Sequence, residues 1–257
     1  MANIWIILFG ISFIFLMTTL GAAVVFFFKN EISSKINAFF LGLASGVMIA
    51  ASVWSLLLPA IEQSQLAIGK FAFLPPAVGL LLGGGALVVL DKILPEVSAR
   101  GGYDKKNMRL FAAVTLHNIP EGLAVGFAFG AAASRLLSTA YVSALMLAIG
   151  IGIQNFPEGA ALALPLKSQF KSNSKAFLWA SASGVVEPIF AVLGYFLAAV
   201  LQAFQPWLLA FSAGTMLFVA ADDLIPDSKG AQADGKCGAW GVLLGFVVMM
   251  TLDVAFA

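Results

Sequence analysis

Cysteine and histidine are almost missing from this chain, with one of each in 257 residues, Cys237 and His117. A single cysteine excludes both an intrachain disulfide framework and a thiolate metal cluster, and leaves the redox compartment unread. Charge is scarce too: 11% of residues are charged and 61% hydrophobic. That balance excludes an ordinary water-soluble enzyme, whose surface has to be largely polar. A net charge of +1 offers no basic excess for a nucleic-acid partner. The N-terminus lacks a basic n-region, and its apolar run is too long for a signal-peptide core and has no clear A-x-A cleavage site, so it reads as a retained first helix.

What is present in excess is uninterrupted apolar sequence. Residues 3 to 28 and 36 to 61 are uncharged runs of 26 residues each, well past the roughly 18 that license a membrane-span reading. Cutting at charges and at Gly/Pro/Asn/Ser clusters predicts eight spans, at about 4 to 28, 36 to 60, 71 to 91, 110 to 133, 138 to 165, 176 to 200, 206 to 225 and 238 to 256. Each is long enough to cross roughly 30 Å of hydrocarbon as a helix. The expected fold class is an all-α polytopic membrane protein, a single transmembrane domain over 1 to 257 in contact with the lipid bilayer.

Lys and Arg accumulate in cytoplasmic loops, so loop charge sets the orientation. Lys29 and Lys35 flank the first loop; Lys92, Arg100, Lys105, Lys106 and Arg109 the third; Lys167, Lys171 and Lys175 the fifth; Lys229 and Lys236 the seventh. Twelve of the fourteen therefore fall on one side, with Lys70 and Arg135 on the other. Both termini are expected outside the cytoplasm.

Two internal similarities run through these spans. Leu116-His117-Asn118-Ile119-Pro120-Glu121-Gly122-Leu123-Ala124 recurs 37 residues later as Ile153-Gln154-Asn155-Phe156-Pro157-Glu158-Gly159-Ala160-Ala161, which makes spans 4 and 5 copies running in opposite directions. A weaker match sets Ala44-Ser45-Gly46-Val47-Met48, leading to Pro59, beside Ser212-Ala213-Gly214-Thr215-Met216, leading to Pro226, with one residue of slippage. Antiparallel copies of this kind fit inverted repeats around a midplane site.

The interior carboxylates are Glu121, Glu158 and Glu187. Each costs about 2.5 to 3.5 kcal/mol at the centre of a lone helix on insertion scales, and no Lys or Arg lies inside any span to neutralise it. Counted from the cytoplasmic ends, His117 to Glu121 lie roughly 10 to 17 Å deep, Glu158 to Gln154 roughly 13 to 20 Å, and Glu187 roughly 18 Å. All three carboxylates thus fall in one layer. His117 and Glu121 are i and i+4, Asn118 and Glu121 i and i+3, so they share a helical face, and Gln154, Asn155 and Glu158 repeat the geometry. Pro120, Pro157 and Pro188 free the carbonyls of Leu116, Ile153 and Gly184 and bend the helices there. Protons or a metal cation can satisfy such a layer. One imidazole with carboxylates and carboxamide oxygens suits a divalent ion of the zinc, iron or manganese kind. Taken singly, Met48 reads as plain packing, and Asp222 and Asp223 as solvated charges.

The paired motifs His117-Asn118-Ile119-Pro120-Glu121-Gly122 and Gln154-Asn155-Phe156-Pro157-Glu158-Gly159, with Ser183-Gly184-Val185-Val186-Glu187-Pro188, resemble the ZIP (Zrt/Irt-like) metal transporters, nearest their bacterial GufA-type branch, over essentially the whole chain. The resemblance implies eight helices arranged 3+2+3, with inverted three-helix repeats around spans 4 and 5. It also implies inward passage of zinc or related ions through a binuclear site between spans 4, 5 and 6, in a multi-pass protein of the bacterial inner membrane. Carried over by motif, one metal takes His117, Glu121, Gln154 and Glu158, with Met48 nearby. A second takes Asn118, Glu121, Asn155, Glu158 and Glu187, and Glu121 and Glu158 bridge. An exit ligand falls at Asp222 and Asp223, with Glu62 and Asp253 at the opposite mouth. Many members carry His where this chain has Gln154, so its ligand set is harder and leaves cadmium, iron and manganese open beside zinc. No prosthetic group is implied; Zn2+ is cargo, and a homodimer is compatible with the reading.

Two other functions stand beside it. A proton-coupled carrier of an organic solute would use the three Glu as a relay. An intramembrane metalloprotease is disfavoured, because H-E-x-x-H is missing.

Overall fold

Sequence this apolar has one way to satisfy its backbone in lipid, which is to close every N–H and C=O inside helices. The computed structural model describes residues 2–28, 33–101, 105–135, 138–229 and 235–256, nearly all helical and without strands. The first pass is α1 (Ala2–Ala22), ending in the 3-10 turn Ala23–Phe27. The second is α2 (Ser34–Ala51), a π-helical segment Ser52–Leu57 and α3 (Leu58–Ile68). The third, fourth and fifth are α4 (Leu74–Gly101), α5 (Lys105–Arg135) and α6 (Ser138–Phe170). The sixth is α7 (Asn173–Gly184) and α8 (Val186–Leu201). The seventh is α9 (Gln205–Val219), a π-helical segment Ala220–Leu224 and the short α10 (Ile225–Ser228); the eighth is α11 (Gly235–Phe256).

Seven of these passes are long and apolar enough to cross a membrane, and α4 supplies a shorter apolar stretch, Leu74–Val89. The helices outrun the apolar runs that announce them. α4 continues to Gly101, α5 starts at Lys105 and α6 ends at Phe170, so several cytoplasm-facing charges ride on helix ends. Lys167 is one of them: it is buried, and its Nζ donates to the carbonyl of Phe28 at the end of the first pass. Lys29, counted in the loop-charge division, lies outside the described residues.

Helix starts have local causes. Ser33 accepts from the N–H of Ile36 at 3.3 Å and Ser172 from that of Lys175 at 3.4 Å, each satisfying a donor that the first turn leaves open. At the far end of the second pass Gly69, at φ +54°, adopts the left-handed backbone that other residues disfavour, and α3 stops there.

Lipid offers helices no hydrophobic reason to associate, so close backbone approach at small residues holds them together. Four tight pairs result: α2 with α11, α4 with α9, α1 with α6 and α5 with α8. A Cβ at Gly46 would stand 2.0 Å from the Val242 carbonyl oxygen, at Gly83 2.2 Å from that of Phe211, at Gly21 2.0 Å from that of Phe156 and at Gly126 2.1 Å from that of Ala191. The pairs obey the inverted repeat. Exchanging passes 1, 2 and 3 with 6, 7 and 8, and 4 with 5, turns the second–eighth pair into the seventh–third and the first–fifth into the sixth–fourth.

The weaker internal similarity also has a structural counterpart. Both copies break into π-helix at matching places, just before Pro59 and Pro226, with six residues in Ser52–Leu57 and five in Ala220–Leu224. The one-residue slippage between the copies is the difference in length of these two segments.

Buried apolar residues form two clusters. One holds Ile7, Ile11 and Ile14 of α1 with Val125 and Phe129 of α5 and Ile151 of α6. The larger one holds Val25, Val114, Leu162 and Ala180 among others. The outer face stays apolar as well, with Phe27 85% and Leu81 77% exposed, as a lipid-facing surface requires.

Candidate metal site

The polar layer lies between those two clusters on every helix that contributes to it. Thr18 sits between Ile14 and Val25 of the first pass, His117 to Glu121 between Val114 and Val125, Gln154 to Glu158 between Ile151 and Leu162, and Glu187 between Ala180 and Ala191. His117, Asn118, Glu121, Gln154, Asn155, Glu158 and Glu187 are all buried. The common depth expected from helical rise is the depth observed.

α5 and α6 run antiparallel and present their motifs to each other. His117 Nε2 stands 2.9 Å from Glu158 Oε2, and Gln154 Nε2 donates to Glu121 Oε1 at 2.5 Å. Histidine and carboxylate thus cross-link the two motifs one way, carboxamide and carboxylate the other. Ligand atoms of His117, Glu121 and Glu158 all lie within 4.8 Å of one another. Two ligands of a tetrahedral zinc ion are about 3.4 Å apart, given metal–ligand distances near 2.0–2.2 Å. Small side-chain rotations close that difference.

Several donors and acceptors here have no protein partner: His117 Nδ1, Asn118 Oδ1, Glu121 Oε2, Gln154 Oε1, Glu158 Oε1 and Glu187 Oε2, with both side-chain polar atoms of Asn155. Leaving one buried polar atom unpaired costs about 1–3 kcal/mol, more for a charged group. So many in one layer point to a missing cationic guest, since all but His117 Nδ1 and Asn155 Nδ2 are oxygens. With Gln154 Nε2 held by Glu121, the Gln154 carbonyl oxygen is the atom left to face an ion.

Glu187 enters from the sixth pass, which breaks between α7 and α8 at Val185. Asn118 Nδ2 donates to the carbonyl of Ser183 in that broken turn at 3.2 Å, which ties α5 to it. By contrast α5 and α6 continue through Pro120 and Pro157 as helix. Thr18 Oγ1 of α1 donates to Glu187 Oε1 at 3.0 Å. Motif reading missed Thr18, because nothing in the sequence around it repeats or ionises.

Two of the expected ligands fall elsewhere in the structure. Met48 is buried in the larger apolar cluster on α2. Asp223 lies in the π segment after α9, about 16 Å along the helix from Ser212, whose hydroxyl donates to the His117 carbonyl at 3.5 Å. There Arg109 ion-pairs with Asp222 and also with Asp223, the latter at 3.3 Å. Arg109 was visible as a loop charge, but its helix begins earlier than its apolar run and brings it onto the acidic pair.

The other mouth is built on the matching π segment. A cavity of about 510 Å³ is lined there by Trp54, Ser55, Glu62, Met146, Gly150 and Asp253 among others. Ser55 Oγ donates to Asp253 Oδ1 at 2.5 Å. Gly150 is one helical turn from Gln154, so the cavity approaches the polar layer from that end.

Comparison with known proteins agrees with this geometry. The family model described as "ZIP Zinc transporter" matches residues 106–253. The zinc transporter ZIP11 of Homo sapiens is 35% identical, with 96% of each chain aligned. The zinc transporter GufA of Myxococcus xanthus is 37% identical over 93% of this chain and 94% of its own. The zinc transporter ZIPB of Bordetella bronchiseptica is 32% identical over 94% of this chain and 78% of its own.

Proposed function

Because this chain belongs to the ZIP family of zinc transporters, a family of membrane carriers and not of enzymes, we propose that it moves zinc-like divalent ions across a membrane into the cytoplasm through the polar layer between α5, α6 and α8. The observation that carries this is the buried His117, Glu121 and Glu158 group in spans that contain no Lys or Arg. Three carboxylates, with Glu187, face one imidazole. One divalent ion leaves a single negative charge there and two leave a single positive one, so a pair of ions is as well matched as one.

In this reading His117, Glu121, Gln154 and Glu158 hold the first ion, and Asn118, Glu121, Asn155, Glu158 and Glu187 hold the second, with Glu121 and Glu158 shared. Met48 serves the first ion only if α2 turns toward it. Glu62 and Asp253 gather cations at the entrance, where the cavity is open. Asp223 receives them at the exit, where Arg109 stands in for the cation between passages. The whole chain, 1 to 257, acts as one transport domain in the plasma membrane, with both termini on the entrance side. Zinc is the first substrate to test, and the oxygen-rich ligand set admits cadmium, iron and manganese.

Uptake of zinc into vesicles reconstituted with the purified protein tests the reading. Glu121→Ala and Glu158→Ala are each expected to abolish saturable uptake, and metal analysis to find up to two zinc ions per wild-type chain. Unchanged uptake in either variant overturns the assigned path. Uptake of an organic solute driven by a pH gradient, with no bound divalent ion, would move the function to the proton-relay class.

A further inference from the structure

The two motif glutamates are each followed by a glycine, and each glycine is pressed against the backbone of a neighbouring helix. A Cβ at Gly122 would stand 2.4 Å from the carbonyl oxygen of Glu187; a Cβ at Gly159 would stand 2.2 Å from the carbonyl oxygen of Thr18. The inverted repeat that exchanges α5 with α6 and the sixth pass with the first therefore exchanges Glu187 with Thr18. Their spacing in the chain, 169 residues, is within one of the 168 that separates Met48 from Met216 in the same repeat. One half of the pseudo-symmetric site supplies a carboxylate. At the same position the other half supplies a hydroxyl, and the two touch across the repeat axis.

We propose that Thr18 is a positioning residue for Glu187: its hydroxyl holds Oε1 so that Oε2 is presented to the metal layer, and this makes a symmetric scaffold into an asymmetric site. Thr18 is 1% exposed and donates to Glu187 Oε1 at 3.0 Å, while Oε2 has no protein partner. Its placement is over-determined. The Thr18 backbone lies against Gly159, beside Glu158, and its side chain against Gly184, with Cγ2 2.9 Å from a Cβ built there. Gly184 ends α7 immediately before the break that delivers Glu187. A single helix, α1, thus reads the position of both carboxylate-bearing elements.

The hydroxyl also has a second acceptor, the carbonyl of Ile14 at 3.3 Å. One proton serves one acceptor best at a time. When a metal draws Glu187 Oε1 into its shell, the proton swings to Ile14 and no buried donor is orphaned. Glu187 can therefore pass between holding and released states without leaving a polar group stranded in α1.

This inference rests on the reading of the layer as a metal site, and the test separates the two. Zinc uptake and equilibrium zinc binding are measured for Thr18→Val, which keeps the shape and loses the hydroxyl, and for Thr18→Ser, which keeps it. Thr18→Val is expected to weaken zinc binding and raise the uptake KM about five- to tenfold, as for loss of a hydrogen bond to a charged group, with the maximal rate changed less than about twofold. Thr18→Ser restores wild-type values. In purified Glu187→Ala protein, adding Thr18→Val leaves zinc affinity unchanged, because the hydroxyl acts only through Glu187. Wild-type KM in Thr18→Val, failure of Thr18→Ser to rescue, or the same penalty with and without Glu187 each overturns the proposal. Glu121→Ala is the control. Uptake surviving in that variant sinks the metal-site reading itself, whereas uptake lost there with Thr18→Val unaffected sinks only the role of Thr18.

Discussion

Gln154 donates its amide to Glu121 and leaves its carbonyl oxygen unpartnered, so at this position the chain offers an ion a hard oxygen where an imidazole nitrogen would be softer. Gln154→His is expected to shift competition uptake toward zinc over manganese, by about tenfold for an exchange worth about 1.4 kcal/mol. Equal ratios in the variant and wild type would show that Gln154 is not a ligand. Most of this residue-level picture was legible beforehand. Carboxylates are so costly in hydrocarbon that Glu121, Glu158 and Glu187 identified themselves, and a copied motif fixed which side chains faced each other. Thr18 was not legible, because a threonine in a helix ordinarily bonds its own preceding turn, and Thr18 does that as well. Only the fold reveals the carboxylate within its reach.

At the scale of elements, α5 is tied to the seventh pass by Arg109, which bridges Asp222 and Asp223. Arg109 is 22% exposed and Asp222 51%, so solvent screens the pair and it adds little to stability, about 0–1 kcal/mol. Arg109→Ala is expected to leave the melting temperature within about 3 °C and yet to change the rate of zinc uptake. Asp223→Asn should do the same, and the double variant should resemble either single one in a coupled cycle. Additive effects on rate would show that the ion pair and the transport step are unconnected.

Glycine positions divide sharply at this scale. Gly46→Val would force α2 from α11 against the Val242 carbonyl, and loss of folded protein in a detergent melting assay is the expected result. A Cβ at Gly85 meets nothing within 4 Å, so Gly85→Ala should be tolerated or slightly stabilising, by about 0.4–1 kcal/mol. The sequence marks both only as glycines in apolar runs. Which of them carries a helix crossing depends on a partner far away in the chain. The π segments were equally hidden, since an extra residue in a helix turn has no composition of its own. Their trace was the one-residue slip between the repeats.

For the whole molecule, eight passes were legible because charge and proline punctuate the apolar sequence, and their number agrees with the twelve-to-two division of Lys and Arg. The helix ends were read short at 91, 110 and 165, since Lys and Arg on long stems ride on helix as easily as on loop, and Lys167 reaches back to a carbonyl. Orientation has a direct test in the lone thiol. Cys237, at the start of α11, is partly exposed and donates to the Lys35 carbonyl at 3.4 Å, which places it on the lysine-rich face. A membrane-impermeant maleimide should label it in inverted vesicles and spare it in intact cells. Labelling of intact cells would reverse the assigned topology.

The two π segments also make the mouths of the path a matter of counting. Glu62 lies just beyond one segment and Asp227 just beyond the other. Deleting any one residue from either segment would let the backbone relax into ordinary α-helix and swing everything past it by about 100° around the axis. Glu62 would then leave the wall of the vestibule for the lipid, with every amino acid of the constellation still in the chain.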